Sequence, residues 1–270
     1  MNYRQQDKII APALSLRELK TLPRPVYGHS EGLPNKPLGY RHKHPWVQLS
    51  YSAQGVIQVR TSSGLFVAPP QSAIWIPAGI EHQVRRLGNT QINSLYIDAA
   101  TAGVKKNSGC RVLSVNPLLR ELIRRFGSLP VQYEESGPHG HLVQVLLDEL
   151  ANAPETGSML PLPADPRLRT LCNALQANPD SRASLQQWAG RLNVSERTLS
   201  RLFVLQTGLT FRLWRQRLRL LTALPMLERG ERVTDAALAC GYESLSAFIA
   251  AFREQLGATP GEFFPPSQQK

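Results

Sequence analysis

The chain has 270 residues, 42% of them hydrophobic and 19% charged, with a formal net charge of +11. That length holds one large domain or two of ordinary size, and the apolar content excludes a disordered chain. No apolar run approaches the roughly 18 residues of a membrane span, while 31 Lys and Arg against 20 Asp and Glu point to a polyanionic partner, nucleic acid first.

Arginine carries most of the positive charge, and no lysine occurs between Asn107 and Gln269. A guanidinium forks to phosphate or to the guanine edge, as an ammonium cannot. Cys110, Cys172 and Cys240 are scattered, odd in number and form no CxxC pair, so neither a disulfide framework nor a zinc knuckle is expected. Residues 1–23 interleave charges with apolar side chains and lack the apolar core of a signal peptide. A reducing cytoplasm and no membrane partner fit this composition.

In chain order, an N-terminal arm runs from Met1 to Gly28. Short Val-, Ile- and aromatic-rich runs then read as strands at Val47–Tyr51, Val56–Thr61, Leu65–Val67, Ala73–Ile76, His82–Leu87 and Gln91–Ile97. Gln54-Gly55, Ser63-Gly64, Pro69-Pro70, Pro77-Ala78-Gly79 and Gly88-Asn89 mark the turns. Turns about every 8 to 12 residues predict a barrel or sandwich. Two helical stripes follow: Leu118, Leu119, Leu122, Ile123 and Phe126, then Leu142, Val143, Leu146, Leu147 and Leu150. Each needs a cover, either the barrel or the same helices of a second subunit, and a homodimer is the expectation. The proline-rich stretch 152–165 shows neither helix nor strand pattern and is taken as the linker. This divides the chain into an arm and sensor (1–105), a helical pair (106–151), the linker and a helical C-terminal domain (166–270).

In that last domain, Asp165-Pro166 opens a helix that Asn178-Pro179 closes. Helices are then predicted at Ser184–Leu192, Ser195–Gln206, Phe211–Glu228, Thr234–Ala239 and Ser244–Leu256, with Pro225 expected to kink the longest. The segment repeats itself: Ser195, Phe203, Gly208 and Thr210 have counterparts at Ser244, Phe252, Gly257 and Thr259. Each copy is a short helix, a tight turn, an N-capping Ser and a second helix, the layout of a helix-turn-helix. A connecting helix of 18 residues would extend roughly 27 Å at 1.5 Å per residue, near the ~34 Å between successive major-groove faces. Seven Arg against Glu196 give Arg191–Arg219 a net charge of +6. Trp188, Leu199, Leu202, Phe203, Phe248 and Phe252 are expected in the core.

The run from Ala189 through Ser195-Glu-Arg-Thr-Leu-Ser-Arg-Leu-Phe203, with Ala239-Cys-Gly-Tyr-Glu-Ser-Leu-Ser-Ala-Phe248 and its continuation to Pro260, resembles the paired helix-turn-helix domain of AraC/XylS-type transcription regulators. The resemblance covers about 85 residues. It implies that the partner is double-stranded promoter DNA, that Arg197, Thr198, Ser200 and Arg201 face base edges in the first copy, and that Leu245, Ser246, Ala247 and Ala250 do so in the second. Only Ser246 there offers a side-chain hydrogen bond, so the second helix should read by methyl contact and backbone positioning. The family also implies RNA polymerase as a partner, most often for activation.

Further upstream, Gly39-Tyr-Arg-His42-Lys-His44-Pro-Trp-Val-Gln48 and Pro77-Ala-Gly-Ile-Glu-His82 resemble the two cupin motifs. The implied fold is multidomain α+β: a cupin-like β-barrel of jelly-roll type, two helices, then an all-α double helix-turn-helix. In metal-binding cupins the matching positions are two His, a Glu and a third His; here Gln48 replaces the Glu. Period-two spacing places His42 and His44 on one strand face, as two ligands to one ion require. Two readings stand side by side: a divalent metal on His42, His44, Gln48 and His82, or the same residues hydrogen-bonding a small organic effector. Cupins also serve as dioxygenases and isomerases, so a metalloenzyme fused to a DNA reader is the alternative. The missing Glu and the fused reader favour a sensor without catalysis.

Overall fold

The computed structural model describes residues 19, 21–28, 40–87, 90–102 and 109–264. Most of the N-terminal arm, Gly39, the Gly88-Asn89 turn and the 105/106 boundary lie outside them. The strands are β1 (Val26–Tyr27), β2 (Val47–Tyr51), β3 (Val56–Arg60), β4 (Gly64–Ala68), β5 (Ser72–Ile76), β6 (Gln83–Leu87), β7 (Asn93–Ile97), β8 (Arg111–Ser114) and β9 (Met159–Pro161). They form two antiparallel sheets, ordered β1-β7-β2-β5-β8 and β6-β3-β4-β9.

The expected barrel does not close among the described strands. The two ladders stay separate, which makes an open two-sheet sandwich. Its crossovers fall where the backbone cannot continue a ladder. Pro69-Pro70 supplies no N–H groups between β4 of one sheet and β5 of the other. Gly55, at φ +83°, carries the chain from β2 to β3, which lie in different sheets. The turn at Gly55 is therefore a sheet-to-sheet corner, since β2 pairs with β5 and β7.

Side-chain alternation builds the layers. Val47, Leu49 and Tyr51 of β2 point outward and join Leu119, Ile123, Phe126, Val143 and Leu146 in one apolar cluster. Those residues belong to α1 (Pro117–Phe126) and α2 (Pro138–Asn152), so the first sheet covers the two helical stripes. Between the sheets lie Ile57, Val59, Phe66, Ile74 and Ile76. From the outer face of the second sheet, Val56, Leu65, Val67 and Leu160 pack into the core of the C-terminal helices.

That domain contains α3 (Pro166–Ala177), α4 (Leu185–Arg191), α5 (Glu196–Thr207), α6 (Phe211–Glu228), α7 (Val233–Ala239), α8 (Leu245–Leu256) and α9 (Pro260–Phe263). Ser195 and Ser244 cap α5 and α8 by accepting from the N–H of Thr198 and Ala247. Left-handed Gly208 and Gly257 end them. Trp188, Leu199, Phe203, Phe248 and Phe252 are buried and Leu202 packs against them, as expected. The long helix α6 runs unbroken through Pro225.

The proline-rich stretch holds a strand that its composition concealed. β9 pairs with β4 at Gly64, Leu65 and Phe66, and α6 grips it from the other side. The Trp214 indole N–H donates to the Pro161 carbonyl at 2.7 Å and the Arg217 guanidinium to the Met159 carbonyl at 3.2 Å. The sheets and the C-terminal helices are docked further by Gly55 N–H donating to Glu228 Oε1 at 2.6 Å and by Arg60 reaching Gln176 at 3.2 Å.

Candidate functional site

His42 and His82 face each other in an isolated bridge, each N–H donating to the other's carbonyl at 3.0 and 2.9 Å. This bridge brings the two separated motifs together. His44 enters from the same segment as His42, and Gln48 from the inward face of β2. One ring nitrogen from each of His42, His44 and His82 lies within 4.8 Å of the others. His82 is fully buried, at 0% exposure, while His42 and His44 are partly buried.

Each imidazole is oriented by a main-chain carbonyl two residues away. Nδ1 of His42 meets the Tyr40 oxygen at 3.1 Å, that of His44 the Trp46 oxygen at 2.8 Å, and that of His82 the Ile80 oxygen at 2.8 Å. A carbonyl can only accept, so Nδ1 carries the proton in each ring. In a neutral imidazole Nε2 then holds the lone pair that a metal uses. Burial pushes the His82 imidazolium down to about 4 and lowers that of His44, so both rings are neutral near pH 7.

Gln48 completes the group. Its Oε1 lies 3.0 Å from His44 Nε2 and 3.2 Å from His82 Nε2. Its amide nitrogen donates to Ser50 Oγ at 3.0 Å and Ser94 Oγ at 3.4 Å. With its oxygen toward the two lone-pair nitrogens, the amide completes a donor set around a cation. The converse amide orientation, with NH₂ donating to both imidazoles and oxygen accepting from both serines, suits the group without a cation. The donor set therefore fits a divalent metal: three imidazoles, one amide oxygen, and a carbonyl behind every ring.

The serines and the three orienting carbonyls are the parts that sequence reasoning missed. Ser50 shares a face with Gln48 by period-two spacing and was readable. Ser94 arrives from β7, in register with Ser50, and nothing local announces it. Of the aromatic residues near the centre, Trp46 and Tyr96 flank His44, one ring parallel at 5.5 Å and the other edge-on at 5.7 Å. Tyr51 and Trp75 point away, into the cluster under α1 and α2.

On the reader, Arg197, Ser200 and Arg201 of α5 are exposed. Thr198 is partly buried, with its hydroxyl 2.9 Å from Ser195 Oγ. Leu245, Ser246, Ala247 and Ala250 of α8 are exposed, an apolar surface around one hydroxyl. Of the seven arginines in 191–219, three are held internally by main-chain carbonyls: Arg215 by Ala183, Arg217 by Met159, and Arg219 by Pro179 and Ser181. Arg191, Arg197, Arg201 and Arg212 remain exposed.

Residues 25–153 match the family model of the AraC-like ligand binding domain, and residues 188–265 match that of a helix-turn-helix domain. The HTH-type transcriptional regulator NimR of Escherichia coli (strain K12) is 37% identical over 222 residues, which cover 82% of this chain and 81% of NimR. The HTH-type transcriptional regulator RipA of Corynebacterium glutamicum is 36% identical over 103 residues, 38% of this chain and 31% of RipA. Among solved structures, ToxT from Vibrio cholerae aligns over 88% of this chain and 93% of its own, at 12% identity and a TM-score of 0.37.

Proposed function

The chain belongs to the AraC-type family of helix-turn-helix transcriptional regulators, and on that premise we propose that its N-terminal domain senses an effector at a metal centre formed by His42, His44, His82 and Gln48. Arg197, Ser200 and Arg201 read base edges of promoter DNA, with Thr198 at the start of the same helix. Leu245, Ser246, Ala247 and Ala250 make the shape-fitting second contact. The observation that carries the sensor reading is the convergence of three imidazoles, each with Nδ1 turned to a main-chain carbonyl. When bound, a divalent ion supplies a Lewis-acidic position at which a small molecule can exchange.

The centre is read as a sensor and not as a catalyst, because the chain carries a DNA reader and its relatives are regulators. Effector binding biases how the sensor holds α6 and hence both readers, a shift between docked and released populations. A homodimer through the outer faces of α1 and α2, where Leu118 and Val145 are exposed, lets two chains span paired half-sites, and RNA polymerase is the downstream partner. Metal analysis of protein purified without a histidine tag tests this reading, with His82→Ala as control. About one divalent ion per chain in the wild type and none in the variant is the expected result; a metal-free wild type that still answers its effector would overturn it.

A further inference from the structure

The donors that converge at the histidine centre are all electrically neutral. Three imidazoles and the Gln48 amide leave the full double charge of a divalent ion in place, where a carboxylate at position 48 would halve it. Among the described residues, the cluster of metal-competent groups contains His42, His44 and His82 and no Asp or Glu. The groups behind Gln48 are the hydroxyls of Ser50 and Ser94. Glu81, next to His82 in sequence, is exposed and already paired with Arg41 at 3.4 Å. A double positive charge beside a wholly buried imidazole is costly unless an opposite charge accompanies it.

The surroundings supply the other half of the case. Lys43, next to His42 in the chain, is exposed, while Arg41 is offset by Glu81. The indole Nε1 of Trp46, whose ring stacks on His44, is buried without a hydrogen-bond partner among the described residues. That is a donor waiting for an acceptor.

We propose that this centre takes its metal together with a small anion, and that the effector is an organic anion whose charged oxygen neutralises the ion. Metal and anion each raise the affinity of the centre for the other, as linkage requires. The inference rests on the metal reading of the centre, and the two can fail separately.

The test uses untagged full-length protein, Co²⁺ as the metal and acetate as the probe anion, in a chloride-free zwitterionic buffer, read by calorimetry and by visible absorption of the bound ion. In the wild type, saturating acetate should tighten Co²⁺ binding by about tenfold or more and change the absorption bands. Gln48→Glu, which provides the missing charge, should bind Co²⁺ more tightly than the wild type and lose the acetate dependence. Stoichiometric Co²⁺ binding by the wild type that is indifferent to acetate would overturn the anion requirement and leave the metal site standing. Failure to bind Co²⁺ with or without acetate, or equal binding by His82→Ala, would overturn the metal reading itself. The wild-type acetate dependence decides the matter even if Gln48→Glu folds poorly.

Discussion

At Gln48 one amide spans two imidazoles and two serine hydroxyls, its oxygen serving the rings with a cation among them and its NH₂ serving them without one. Arg201 is exposed on α5 and able to fork to a guanine, whereas Ser246 is the single side-chain donor on the matching surface of α8. Arg201→Ala should weaken operator binding by about 1–3 kcal/mol and relax one base position. Ser246→Ala should cost clearly less, and equal losses in a DNA titration would contradict the asymmetry. Gly55 is needed for its corner: at φ +83° an added Cβ would run into the Thr90 hydroxyl and backbone. Gly55→Ala should destabilise the protein by on the order of 3 kcal/mol, visible as a lower thermal midpoint.

Among the elements, α6 was read as a connector between two DNA readers, and the structure adds a second duty. It lies on β9 and the β2–β3 corner through Trp214, Arg217 and Glu228. Glu228→Ala removes the acceptor of a part-buried N–H and should cost about 1–3 kcal/mol, with faster hydrogen exchange at the Gly55 amide. Unchanged exchange there would mean that the contact does not hold the corner. These helix boundaries were legible because caps are local: Ser195, Ser244 and Thr210 each accept from a nearby main-chain N–H, whereas the short α9 behind Thr259 was not read. The three-residue strand β9 was not legible. Its partner β4 lies almost a hundred residues earlier in the chain, and Pro161 and Pro163 mask any strand pattern.

For the whole molecule, net charge proved a blunt guide, because the guanidinium groups in 191–219 divide between solvent and internal carbonyls. Salt dependence of DNA binding separates them. Arg212→Ala should reduce the slope of log affinity against log salt by about 0.9, since that side chain is exposed. Arg217→Ala should leave the slope nearly unchanged and lower stability instead, because its guanidinium holds the Met159 carbonyl. Equal slopes for the two variants would show that exposure does not sort the arginines. The layers run from the α1–α2 pair through two sheets to the reader, so the sensor's outer sheet is at once the floor of the DNA-binding domain.

Periodicity, caps and repeats act over a few residues, and they were enough to read the duplicated helix-turn-helix, while the three candidate imidazoles came from the resemblance to the cupin motifs. Pairing partners and charge environments depend on groups brought together from distant positions. Tertiary structure alone therefore decided that the sheets stay open, that the linker is a strand gripped by α6, and that Ser94 and three main-chain carbonyls orient the histidine centre.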